Sequence, residues 1–323
     1  MHLKQARADF LSGYFSTHDR KTKTRAAYSS DLSQFQTFAG EKLGLKSLNE
    51  EVVEGWAAHL RTQNYAPASI KRKIVALKVF CSYWVRRGLL VESPFWRVKV
   101  SFGRIEQLPR TLSESEVRAV LEQSQKNYHK AATATRIHDE RPVSRSTYRQ
   151  LRNAALVDFL FATGVRIGEV SSLNLDDYFI KESMFRVHGK GGRDRLAFAV
   201  DERTLQIQRH HFSIRTRIEA KANALFLNAA GGRLSTQGIA NVIDRVCREA
   251  GIKRHITAHM FRHTVATLLL RNGADLRVVQ EFLGHSSIAT TQRYTHVTKE
   301  HMIGALQKHH PSFGLRDPIS WEF

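Results

Sequence analysis

The chain of 323 residues is long for one hydrophobic core and comfortable for two, and its composition, 42% hydrophobic and 25% charged, is that of a soluble globular protein. Lys+Arg 50 against Asp+Glu 30 gives a formal charge of +20, which points to a polyanion or an anionic membrane surface as partner, against the plainer reading of a solvated cationic surface. No stretch approaches a membrane span or a signal-peptide core, and the two cysteines, Cys81 and Cys247, lie too far apart for a disulfide framework or a zinc site; they read as packing residues in a reducing, cytoplasmic setting.

The first third reads as helices. Tyr28, Leu32, Phe35 and Phe38 recur at three- and four-residue steps, one face of a helix. The stretch from Glu50 to Leu60 repeats the pattern with Val52, Val53, Trp56 and Leu60. A longer helix follows, with Ile70, Ile74, Leu77, Phe80 and Trp84 inward and Gly88 as its stop. Its other face carries Lys71, Arg72, Lys73 and Lys78, then Arg86 and Arg87. A small helical domain with one cationic side suits a duplex, so Lys71, Arg72, Lys73 and Lys78 are candidate DNA contacts. "GRIEQLPRT" (103–111) breaks the periodicity. The domain boundaries are therefore set at 1–105, a linker at 106–111, and 112–323.

"LSESEV" from Leu112 opens a new helix, with Ser113 and Glu116 in capping-box spacing. Gln125 to Arg149 is polar, basic and weakly periodic, and reads as a loop or insertion. A helix from about Arg152 to Ala162 comes next. "MFRVHGKGGRDRLAFAV" alternates, turns at glycines and alternates again, the signature of a hairpin. From Ala258 onward the pattern is helical, punctuated by Gly273 and Gly284.

Several polar residues sit where an ordinary helix would not place them. "ATGVRIGEVSSL" sets Arg166 and Glu169 on one helix face. That is a common surface pair, but at a glycine-flanked helix start a guanidinium and backbone N–H groups can converge on a phosphate. "HGKGGR" puts Lys190 at a glycine-rich hairpin tip, where the backbone can approach a nucleic-acid strand. "AHMFRHTVATLLL" puts His259 and Arg262 on one face, with the apolar residues turned inward. In "LGHSSIATTQRYTHV", His285 follows Gly284, and Tyr294 comes nine residues after it. A phosphodiester passing through a pentacoordinate transition state needs its non-bridging oxygens stabilised, which suits two arginines and a histidine donor. A phenol of reference pKa about 10 needs a cationic environment to attack near neutrality, and a lysine can protonate a departing 5′ oxygen. Nothing resembles a carboxylate cluster for two metal ions, so side chains must supply the charge stabilisation.

"ATGVRIGEVSSLNLDD", "HGKGGRDR", "HMFRHTVATLLLRNGADLRVVQEFLGHSSIATTQRYTHV" and the helical first third resemble the tyrosine recombinase (phage integrase) family, closest in style to Xer-type recombinases and compact integrases of mobile elements. The resemblance implies a mainly α fold: an N-terminal helical, SAM-like core-binding bundle, and a mostly helical catalytic domain whose small antiparallel sheet carries Lys190. It makes Tyr294 the nucleophile of a 3′-phosphotyrosyl intermediate and Arg166, Arg262 and His285 the phosphate clamp. His259 becomes the acid/base partner, Lys190 the general acid and Glu169 their support. It implies double-stranded DNA with a specific recombination site as substrate, no metal or other cofactor, no membrane, and a tetramer on DNA, of this chain alone or with a related recombinase. The setting would be the cytoplasm of a bacterium or the context of a mobile element. A type IB topoisomerase and a non-catalytic DNA-binding regulator are the alternatives. The last expectation concerns the tail beyond His310, with Phe313, Leu315, Ile319, Trp321 and Phe323: it packs on a neighbouring protomer rather than on its own domain.

Overall fold

The computed structural model describes residues 1–17, 22–40, 42–98, 100, 111–133, 143–189, 194–284 and 299–315. The chain forms two compact units, Met1–Gln107 and Leu108–Phe323. Of the expected linker only Thr111 is among the described residues.

The first unit holds four helices: α1 (Leu3–Thr17), α2 (Thr22–Ala39), α3 (Glu50–Thr62) and α4 (Pro67–Arg86). The ends of α3 and α4 follow from local chemistry. The Asn49 side chain accepts the Val52 N–H at the head of α3, whose first turn carries Glu50 and Glu51 against the positive end of the helix dipole. Pro67 opens α4 without losing a hydrogen bond, and Gly88, at φ +70°, follows its end. The expected inward set of α4, Ile70, Ile74, Leu77, Phe80 and Trp84, is buried with Phe10 and Trp56; the rings of Phe10 and Phe80 meet edge-on at 5.4 Å.

One residue of the expected cationic face is not on it. Lys71, Arg72 and Lys78 are exposed, but Lys73 is only 3% exposed. Three residues after Ile70 and four before Leu77, it belongs to the inward stripe of the 3.6-residue repeat. Its ammonium donates to Asp31 Oδ1 at 2.9 Å and to Gln34 Oε1 at 2.5 Å, and lies 4.9 Å from the centre of the Tyr65 ring. Arg72 binds the other oxygen of the same Asp31 carboxylate. Lys73 is thus a buried tie between α2 and α4, not a free contact for DNA.

The second unit is built around α6 (Arg145–Thr163), whose side chains from Leu151 to Thr163 are all buried. It packs against α5 (Glu114–Ala132), α8 (Glu202–Arg215), α9 (Thr236–Glu249) and α10 (Ala258–Arg271). The capping box of α5 forms as expected: Ser113 Oγ accepts the Glu116 N–H, and the Glu116 carboxylate accepts the Ser113 N–H. Both ends of the loop expected over 125–149 are helical, because α5 continues to Ala132 and α6 begins at Arg145; residues 134–142 lie outside the described residues. The inward row Leu121, Ser124, Tyr128, Ala131 is apolar except at Ser124, whose hydroxyl donates to the Ala154 carbonyl across the helix pair. That hydroxyl breaks the hydrophobic pattern without breaking the packing.

After the short α7 (Ile167–Ser172) comes a three-stranded antiparallel sheet: β1 (Tyr178–Phe179), β2 (Met184–His188) and β3 (Asp194–Phe198). The expected hairpin pairs Met184 with Phe198 and His188 with Asp194. Both cysteines are free and buried, and burial pushes their thiols up to about 12. Beyond α10 lie α11 (Leu276–Leu283), α12 (Lys299–His309) and α13 (Ser312–Leu315). The start of the tail departs from expectation. His310, Ser312 and Leu315 are buried within the chain's own second unit, α13 packs on α5, and Arg118 Nη1 donates to the Leu315 carbonyl at 3.4 Å. Leu315 finds its apolar cover in cis; Ile319, Trp321 and Phe323 lie outside the described residues.

Breaking the tie between α2 and α4 should destabilise the first unit. Lys73→Ala leaves Asp31 buried beside the more exposed Arg72 alone, and a broken buried pair costs about 3–5 kcal/mol. Denaturant unfolding of the full chain, followed by the fluorescence of buried Trp56 and Trp84, measures this. A loss below about 1 kcal/mol, the figure for an exposed pair, would return Lys73 to the surface.

Candidate active site

The polar centre of the second unit forms where two helices end. α6 stops at Gly164, φ +57°, and α11 stops at Gly284, φ +65°, both left-handed caps. The two ends touch: a Cβ on Gly164 would sit 2.6 Å from Leu283 Cδ2. Helix C-termini leave carbonyls without intrahelical partners and carry the negative end of the dipole. Arg262, from α10, serves both. It donates from Nη1 to the Gly164 carbonyl at 2.7 Å and from Nη2 to the Leu283 carbonyl at 2.5 Å. Sequence alone suggested that Arg262 would share an outer face with His259, yet Arg262 is 4% exposed while His259 is exposed.

Arg166 and Glu169 meet as their spacing required. Arg166 precedes α7, and its backbone N–H donates to Glu169 Oε2 at 2.9 Å. Its Nη1 donates to Glu169 Oε1 at 2.9 Å, and its Nη2 reaches the Gly284 carbonyl at 3.0 Å. Arg166 and Arg262 therefore hold adjacent carbonyls of one turn, those of Gly284 and Leu283. The Arg166 side chain remains 45% exposed, whereas that of Glu169 is 9% exposed. A third guanidinium, absent from the sequence reading, joins them: Arg195 Nη2 on β3 donates to Glu169 Oε2 at 3.0 Å.

Burial would raise the Glu169 carboxyl, but the hydrogen bonds of Arg195 and Arg166 outweigh it and hold it below the ordinary carboxylate range. Burial, together with the charges of Arg166 and Arg195, pulls Arg262 down to about 10, still cationic at neutral pH. One carboxylate among three guanidiniums leaves a net positive centre.

His259 has a partner that the sequence reading also missed. Its Nε2 lies 2.9 Å from Nε2 of His263, one helical turn on, with the rings nearly perpendicular at 4.3 Å. One ring must donate and the other accept. Burial, with His259 and Arg262 near, holds His263 below the ordinary histidine value. The i, i+4 spacing in "HMFRH" was the available signal.

Lys190, His285 and Tyr294 lie outside the described residues. The strand leading to Lys190 is described, and it ends in a clamp. His188 Nδ1 faces Asp194 at 3.0 Å, and its Nε2 faces Asp177 at 3.1 Å. Asp177 is 1% exposed and also accepts from Arg186 Nε at 2.9 Å. A carboxylate only accepts, so an imidazole between two of them is fully satisfied only as the cation. Among the described residues no group of three His, Cys, Asp or Glu side chains could hold a metal ion.

With this geometry in place, comparison with known proteins is informative. Residues 110–301 match the phage integrase family, and residues 8–88 match its N-terminal SAM-like domain. The tyrosine recombinase XerC of Listeria innocua serovar 6a is 31% identical over 308 residues, covering 94% of this chain and 96% of the relative. The chain belongs to the phage integrase family. XerC of Lactobacillus delbrueckii subsp. bulgaricus is likewise 31% identical, over 94% of this chain and 97% of its own. This member of the family is a tyrosine recombinase, a DNA strand transferase, and its relatives lend no support to the topoisomerase or regulator readings. The fold is shared with the Tn1549 transposon integrase in complex with circular intermediate DNA (TM-score 0.68, 18% identity, 95% of this chain and 99% of that one). It is shared also with the XerH recombinase bound to palindromic difH substrate (TM-score 0.63, 23% identity, 81% and 73%).

The two-sided clamp raises the pKa of His188, through its bond to Asp194 and the charges of Asp177 and Asp194. A raised folded value means stabilisation that is complete below the ordinary 6.5 and lost as pH climbs through the raised value. The imidazole of His188 should therefore titrate above 6.5 by NMR, and His188→Ala should remove the matching pH dependence of thermal stability. A His188 titration below 6.5 would contradict the clamp.

Proposed function

We propose that this recombinase cuts and rejoins duplex DNA at a specific site, with Tyr294 attacking the scissile phosphorus. The observation that carries the reading is the cationic centre of Arg166, Glu169 and Arg262, built at two helix ends, one of which, at Gly284, lies ten residues before Tyr294 in the chain. Two guanidiniums held on backbone carbonyls and a carboxylate are pre-oriented, so little reorganisation is needed as charge develops on the phosphate oxygens. In the first step the Tyr294 oxygen bonds to phosphorus and the bond to the 5′ oxygen breaks. The product is a 3′-phosphotyrosyl ester and a free 5′ hydroxyl. The reverse attack, by a 5′ hydroxyl from a partner strand, completes exchange with no net loss of phosphodiester energy.

In this scheme Arg166, Arg262 and His285 stabilise the equatorial oxygens. His259 takes or returns the tyrosine proton. Lys190, which falls between β2 and β3 in the sequence, protonates the departing 5′ oxygen, and Glu169 orients Arg166. Lys71, Arg72 and Lys78 contribute phosphate contacts from the first unit, consistent with the +20 charge. Exchange needs two duplexes and four active sites, hence a tetramer on DNA; one solved structure of this fold is a lambda integrase tetramer bound to a Holliday junction. We assign the chain to the bacterial cytoplasm: its relatives come from Listeria and Lactobacillus, and no described helix is long and apolar enough to cross a membrane.

Tyr294→Phe should keep DNA binding and abolish the covalent adduct; a denaturation-resistant protein–DNA complex formed by this variant would refute the assignment. Lys190→Ala should slow cleavage by about 10²–10⁴-fold, the range for a lost general acid. Sulfur at the bridging 5′ position leaves without protonation, so it should restore the variant selectively. Equal defects on both substrates would make Lys190 a binding residue.

A further inference from the structure

Glu169 presents two carboxylate oxygens and receives three hydrogen bonds. Oε1 takes Arg166 Nη1, while Oε2 takes both the Arg166 N–H and Arg195 Nη2. The two guanidiniums stand at different depths. Arg166 is 45% exposed and faces where a phosphate can reach it; Arg195 is 16% exposed and lies beneath. Arg195 also lies against the turn that receives Arg166. A Cβ on Gly284 would sit 2.6 Å from Arg195 Nε and 2.7 Å from its Cδ, so the side chain rests on the bare glycine whose carbonyl accepts Arg166 Nη2. Arg195 Nε is buried without a hydrogen-bond partner, an arrangement tolerated where something other than stability fixes the side chain.

Charge balance gives the reason. A carboxylate paired with Arg166 alone would cancel most of that guanidinium's charge at the spot where phosphate must be held. Spread over Arg166 and Arg195, the same carboxylate leaves a full positive charge, to which Arg262 adds another. Arg166 can then be oriented by Glu169 without being neutralised by it.

We propose that Arg195 is a positioning residue of the recombinase: it shares the Glu169 carboxylate and supports Gly284, keeping the Arg166 guanidinium both aligned and charged for the scissile phosphate. The proposal rests on the strand-transfer reading above. It also accounts for arginine over lysine, since the guanidinium can bond Glu169 through Nη2 while its Nε and Cδ rest against Gly284.

The test uses full-length protein and single-turnover cleavage of a duplex carrying the site recovered from trapped wild-type adducts. Failure of wild-type protein to form any tyrosine adduct would refute the strand-transfer reading itself; the comparisons below concern Arg195 alone. Arg195→Gln removes the charge but keeps a donor, and should slow cleavage by about 10–100-fold, the loss seen when a partner that orients a charged ligand is removed. Arg195→Lys keeps the charge and should fall nearer wild type than the glutamine variant. In a Glu169→Gln background there is no carboxylate charge to share, so Arg195→Gln should add little further loss. On a substrate whose scissile phosphate is replaced by a neutral methylphosphonate, its defect should shrink as well. Duplex binding and melting temperature report whether a variant has simply lost its fold, and the lysine variant carries the comparison if the glutamine one has. A defect of the same size with and without the Glu169 charge, or no defect at all, would overturn the proposal.

Discussion

Arg262 closes the ends of two helices at once, and the geometry of the candidate site follows from that closure. α6 and α11 each end in a left-handed glycine with a carbonyl pointing away from its helix. Two such ends brought together would repel, since both carry the negative pole of a helix dipole. The guanidinium between them supplies a donor to each carbonyl and a charge of the opposite sign. With Leu283 fixed, the Gly284 carbonyl is fixed too, and that oxygen is what Arg166 grasps. A residue normally described by what it does to a substrate is here first a structural bolt.

The cluster that results is under electrostatic tension. Burial first, and then the nearby charges of Arg166 and Arg195, depress Arg262 to about 10, with one carboxylate among the three. Backbone carbonyls and Glu169 offset part of the repulsion, and an arriving phosphate would relieve the rest. The hydrogen bonds to Glu169 and to the carbonyls of Gly164, Leu283 and Gly284 hold these guanidiniums together, although Arg166 remains 45% exposed. The same proximity acts on His263, which burial and the neighbouring His259 and Arg262 hold below the ordinary histidine value.

How much of this the sequence disclosed depended on whether a residue's role was local. The stripes of α4, the capping box of α5, the β2–β3 hairpin and the Arg166–Glu169 pair rest on contacts within a few residues, and all were legible. Lys73 was misread because "KRK" suggests a charged surface, while the period of the helix turns its third residue inward to Asp31, 42 positions away in the chain. The loop expected over 125–149 was read from its polar, basic and weakly periodic composition, whereas at its N-terminal end the inward residues Tyr128 and Ala131 find their cover on other elements of the fold. Arg195 was hidden for a similar reason. Its partner Glu169 lies 26 residues back, and its seat, Gly284, lies far ahead, so no spacing rule links them. The docking of Leu315 on its own unit needed the position of α5, which no pattern in the tail encodes.

The count of charges, too, needed the fold before it could be interpreted. Among the described residues Arg152, Arg215 and Arg262 are all nearly inaccessible, and all three satisfy backbone carbonyls: Arg152 that of Leu227, Arg215 those of Ala222 and Ala224. Arg152, Arg215 and the inward Lys73 are thus part of the cationic count without offering a phosphate contact at the surface. Burial alone therefore does not mark a functional arginine in this chain. Arg152 sits near Tyr148 and beside neutral His211, a ring that burial and the charges of Arg152 and Arg215 hold at about 3. That surrounding answers to structure, since no second guanidinium shares its acceptors. Arg262 differs in its company: it holds the carbonyl next to the one Arg166 holds, with Arg195 close by. Converging cations are costly in a fold that stands alone and favourable in one that closes on an anion, so it is the convergence, rather than the burial, that identifies the site.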